Sequence, residues 1–196
     1  RALAQALRRR LVSAAAGDSR ALQPAIDAQI VELDGDRVRF IHPLLAAAAH
    51  GGAESQRALH GRLAELVGDP EEQARHLALA ATGPDPSVAD RLEAAGRGAA
   101  VRGATWTAAE LTEQAARLTL PDRGEDLRRR SADAAYYHFE SGDSRRARAM
   151  LERLAGELSA GPERARVLVR LALTRAYDDD LHAASEINRQ ALKEAG

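Results

Sequence analysis

Among the side chains of this sequence that can do chemistry near neutral pH, His42 stands apart from the other five histidines. It directly precedes Pro43, whose preset φ and missing N–H suit the first turn of a helix running through Leu44 and Leu45. An imidazole beside a helix N-terminus can donate to a phosphate oxygen while the helix adds partial positive charge. The plainer alternative is that His42 bridges strand and helix through backbone hydrogen bonds. His50, His60, His76, His138 and His182 are scattered, and none is spaced from another His or a carboxylate as metal ligands would be. No metal site is therefore expected. His60 and His76 read as packed side chains bonded to backbone. No Gly-rich phosphate loop with a Lys-Ser/Thr pair is present, and no Ser-His-Asp set carries a nucleophile elbow. Asp178-Asp179-Asp180 lacks the calcium-loop ladder and reads as a helix cap. No catalytic residue is expected, and the chain reads as a non-enzyme.

Composition narrows the scaffold that holds these residues. The 196 residues are 45% hydrophobic but only 3% aromatic, so Ala and Leu carry the apolar share. That favours closely packed helices over a sheet sandwich. With 28 basic against 29 acidic residues the net charge is -1, so no global field draws in nucleic acid or an anionic membrane. Zero Cys fits a reducing, cytoplasmic setting. No apolar run approaches membrane-spanning length, and a start at Arg1 without a signal-peptide pattern suggests a fragment of something longer.

In chain order, Leu3, Leu7 and Leu11 predict a helix to about Ala15, and Leu22, Ile26 and Ile30 predict a second. Ile30–Leu33 and Arg37–Phe40 predict two strands joined by an Asp34-Gly35-Asp36 turn. Two helices followed by a hairpin is the back half of a winged helix. A helix from about Glu54 should bury Leu59, Leu63, Leu66 and Val67 and stop at Gly68. Asp69-Pro70 and Asp85-Pro86 are helix starts, with an Asp cap and Pro at the first helical position.

From there a repeat sets in. Gly96, Gly103, Ala108 and Ala115 recur as Ala135, Gly142, Ala147 and Leu154, then as Ala172, Asp179, Ala184 and Ala191. Small residues where two helices cross, with a Gly between them, form the tetratricopeptide pattern. The turns are 39 and then 37 residues apart, looser than the ~34 of ideal repeats. In the final helix, Ala184, Ile187 and Ala191 should face Leu168, Leu171 and Ala172, leaving Leu192 open for weak self-association. Arg8-Arg9-Arg10, Arg128-Arg129-Arg130 and Arg145-Arg146 read as solvated helix surface. Trp106, Tyr136, Tyr137 and Phe139 read as core wedges, with partner recognition in a repeat groove as the alternative.

Phe40-Ile41-His42-Pro43-Leu44-Leu45 resembles the end of the winged-helix module in STAND-type ATPases, specifically the large ATP-binding regulators of the LuxR type. Glu72–Ala81 and Arg102–Leu118 look like the helical arm of the same regulators. The resemblance implies a mainly α fold: a partial winged helix over residues 1–52, then an antiparallel tetratricopeptide-like array over 53–196. It implies that His42 reaches the β-phosphate of ADP in the larger regulator, with ATP or ADP as that protein's cofactor and none held by this stretch alone. Ala46 to Ala49 stand where the family has an Arg and an acid. The implied role is to relay a protein or small-molecule effector, bound on the helical repeats, to modules elsewhere, with no direct contact to nucleic acid or membrane. A winged-helix DNA binder with a helical dimerisation arm, and a peptide-binding scaffold, are the alternatives.

Overall fold

The computed structural model of the chain describes residues 7, 8, 20, 22–35, 37–41, 53–178 and 180–196. They form two compact units, residues 1–82 and 83–196.

The first unit holds a small antiparallel sheet. Strand β1 is Leu7–Arg8, helix α1 is Gln23–Asp27, and strands β2 and β3 are Val31–Asp34 and Arg37–Phe40. β3 lies between the other two, with Val31 opposite Phe40 and Asp34 opposite Arg37. The expected hairpin is therefore present, and Gly35 opens its turn at φ +60. Leu7 and Arg8, read above as helix, instead pair with Val38 and Arg37. The far edge of β3 offers unpaired N–H and C=O groups, and filling them outweighs a helical propensity that packing does not support. The second expected helix is likewise cut to five residues: Gln29 turns the chain at φ 54, and Ile30 moves out of the stripe to accept from the Ile41 N–H at 3.1 Å.

Helices α2 (Ala53–Leu66) and α3 (Pro70–Ala80) complete this unit as a hairpin. Leu63, Val67, Ala74 and Ala78 are buried, but Leu59 and Leu66 are exposed. The packed stripe is narrower than the sequence pattern because a single partner helix covers one ridge of α2. The Asp69 carboxylate accepts from the Glu72 N–H at 2.8 Å, the cap expected at that position.

The second unit is three consecutive helix pairs: α4 (Pro86–Val101) with α5 (Thr105–Arg117), α6 (Gly124–Glu140) with α7 (Ser144–Glu157), and α8 (Pro162–Tyr177) with α9 (Leu181–Glu194). The small residues of the repeat sit at the crossings. Ala108, Ala115, Ala135, Ala147, Ala172, Ala184 and Ala191 are all buried. At Gly96 an added Cβ would lie 2.6 Å from the Thr112 hydroxyl oxygen and 3.3 Å from the Ala108 carbonyl, so the first pair is closed by the absence of a side chain. Gly103 and Gly142 turn the chain at φ +77 and +89, where a Cβ would be strained. Ile187 packs with Leu168 and Leu171 while Leu192 stays 75% exposed, as the spacing predicts.

Helix α4 starts as the sequence dictates. Asp85 accepts from the Val88 N–H at 3.1 Å, and its own N–H donates to the Leu118 carbonyl at 2.9 Å, closing the first pair at its open end. Asp85→Ala should therefore lower stability by about 1 kcal/mol in denaturant unfolding. A change below about 0.3 kcal/mol would mean that the backbone bond alone holds the start.

Candidate interaction surface

Each pair presents its first helix (α4, α6, α8) on one face and its second (α5, α7, α9) on the other. What fixes α4 and α6 side by side is an ionic clasp around Arg130, whose side chain is only 2% exposed. Its Nε donates to Glu93 at 2.7 Å, one terminal nitrogen donates to the Thr119 hydroxyl at 2.8 Å, and the other donates to Asp90. Thr119 passes its own hydrogen to the Ala115 carbonyl at 2.8 Å. Glu93, also buried, accepts from Arg129 and Arg97, each at 2.5 Å. Burial alone would raise the Glu93 pKa, but the hydrogen bonds from Arg129 and Arg130 outweigh it and bring it to about 2. Arg128-Arg129-Arg130 is thus not a uniformly solvated run: its third member faces inward, and a positional charge pattern cannot distinguish that from surface.

On the first-helix face an exposed stripe forms at repeat-equivalent positions: Arg97, Tyr136 and Leu173, and beside it Val101, Glu140 and Tyr177. Of the eight large apolar side chains exposed among the described residues of 83–196, five lie on first helices: Val101, Tyr136, Val169, Leu173 and Tyr177. Arg170 sits 5.9 Å over the Tyr136 ring and donates to the Ala132 carbonyl at 2.8 Å, while Phe139 meets Tyr177 edge-on at 5.3 Å. Tyr136 and Trp106, expected as core wedges, are exposed, because the crossings are filled by alanines too close to admit a ring.

On the second-helix side, Glu113 of α5 accepts from the Nε and a terminal nitrogen of Arg146 and pairs with the buried His138 Nε2 at 2.9 Å. Burial works against its charge, and the Arg146 and His138 hydrogen bonds win, holding its carboxyl below the usual range. A cavity of about 450 Å³ opens between α5, α6 and α7 beside this pair.

The histidines are placed differently from the spacing argument. His60 and His76, sixteen residues apart on α2 and α3, meet Nδ1 to Nδ1 at 3.0 Å rather than bonding backbone. The 5.1 Å between ring centroids matches an end-to-end N–H···N bond, one ring donating. Burial lowers the pKa of both, so the neutral, bonded pair is favoured. Helix packing brings them together, and separation in sequence hid it. Among the described residues no group of three or more potential ligands could hold a metal ion, and no helix is long and apolar enough to cross a membrane. His42, and with it the Pro43-Leu44-Leu45 turn, lies outside the described residues, as does Asp179.

No protein-family model and no curated protein matches the chain. Solved structures do. The nearly identical TPR-like repeats of a kinesin light chain-like protein from Podosopora anserina align at 20% identity and a TM-score of 0.55, covering 94% of each chain. A point variant of those repeats aligns at 19% identity and a TM-score of 0.55, covering 76% of this chain and 80% of that one. At this identity the likeness shows the fold alone: a TPR-like array of antiparallel helix pairs.

Proposed function

We propose that this chain is a non-catalytic regulatory segment that binds a protein partner on its first-helix face and passes that event to other modules of a LuxR-type STAND regulator. The observation that carries the first half is the clustering of Val101, Tyr136, Val169, Leu173 and Tyr177 on α4, α6 and α8. Apolar groups gathered on one face, with Arg170 over the Tyr136 ring, suit an anchor side chain of a bound segment. A photo-crosslinking amino acid at Leu173 or Tyr136 should capture the partner in cells, and one at Glu157 on α7 should not. Equal capture at all three positions would sink the docking face.

The second half rests on the Phe40–Leu45 resemblance, with His42 contacting nucleotide phosphate in the whole regulator. There, His42→Ala should loosen the ADP-bound state and raise basal signalling. If instead the substitution lowers the stability of residues 1–196 by more than ~2 kcal/mol, His42 is structural and the nucleotide role falls.

A further inference from the structure

We propose that the cavity between α5, α6 and α7 is a binding site for a small organic anion with an apolar body, such as a medium-chain carboxylate. The site lies on the second-helix side and does not depend on the first-helix face. Its volume, about 450 Å³, falls within the range of small-molecule sites. The chemistry follows from which wall groups are already engaged. Both acidic residues in the wall are engaged: Glu113 by Arg146 and His138, and Glu110 by an interaction of its own. The donors, Arg146 apart, are not. Among the described residues, Arg117 has no ionic partner and the Gln114 amide and Ser131 hydroxyl make no side-chain hydrogen bond. Arg153 reaches only Glu157, at 3.8 Å, with both side chains largely exposed.

A wall with its carboxylates engaged and all its donors but Arg146 open selects a ligand rich in acceptors, and two loosely held guanidinium groups select negative charge. Leu127 and Met150 supply the apolar side, and Met adapts readily to an irregular body. The three helices come from two successive pairs, so an occupant would bridge them. A bound anion would thereby stiffen the step from the first pair to the second, which gives the site a means of biasing the array.

The test is a titration of residues 1–196 followed by amide NMR, using decanoate below its micellar concentration, decanol and inorganic phosphate as separate probes. Decanoate should saturate, shifting Leu127, Ser131 and Met150, and bind at least tenfold more tightly than either other probe. Arg117→Glu should weaken decanoate at least tenfold while leaving the amide spectrum elsewhere folded. If Arg117→Glu perturbs the fold, Arg153→Glu on the opposite wall provides the same readout. Decanoate shifts centred on Tyr136, Leu173 and Tyr177, equal affinity for decanol, or affinity unchanged in both Arg variants would overturn the site.

Discussion

Arg130→Met should destabilise residues 83–196 by about 3 kcal/mol in denaturant unfolding. The substitution fills much of the same volume but removes the charge that neutralises a buried Glu93, and an uncompensated buried carboxylate costs several kcal/mol. The figure sits at the low end of that range because Arg129 and Arg97 still bind Glu93. Pairing Arg130→Met with Glu93→Leu should recover most of the loss, to within about 1 kcal/mol of the original protein, since an apolar pair of similar size replaces an ion pair at little net cost. A single variant that costs less than about 1 kcal/mol would show that water reaches the clasp.

The same carboxylate gives a pH dependence with a definite sign. Its folded pKa, about 2, lies below its unfolded value near 4.3, so it contributes stability fully above the unfolded value. That contribution should be lost as the pH falls from about 4 toward 2. Over this window the protein should lose stability relative to the double variant, and parallel curves would remove Glu93 from the account.

Gly96→Leu should cost about 3 kcal/mol, because α4 and α5 cross with no room for a side chain. Gly96→Ala is the finer measurement. Alanine gains about 1 kcal/mol of helix propensity over glycine, but its Cβ would meet the Thr112 hydroxyl oxygen at 2.6 Å. The clash should dominate, leaving a net loss of about 1 kcal/mol. Thr112 is buried and its hydroxyl has no hydrogen-bond partner, so Thr112→Ala removes the obstacle at small cost. The double variant should be at least about 1 kcal/mol more stable than the two single losses add up to. Strict additivity would mean that the Ala108 carbonyl, not Thr112, sets the approach.

How much of this was legible in the residues depends on the range of the interaction. Caps are local, and Asp69, Asp85 and Asp180 all accept the N–H expected of them three residues on. The Gly103 and Gly142 turns, the β2–β3 hairpin and the small-residue crossings are likewise written into spacing, since each follows from backbone sterics over a few residues or one helix period. So is the burial of Ala184 and Ala191 against an open Leu192. Tertiary packing alone decided the rest. Leu7–Arg8 became strand because β3 had an edge to fill, against its own helical spacing. Arg130 went inside because Glu93, Asp90 and Thr119, far off in sequence, converge on one point, and a charge is buried only where such partners meet it. Tyr136 stayed outside because alanines had already closed the crossing. His60 found His76 because two helices folded back on each other. The sequence determined the helix pairs; which side chains the pairs lock together or leave open is a property of distances between helices, and no local pattern carries those.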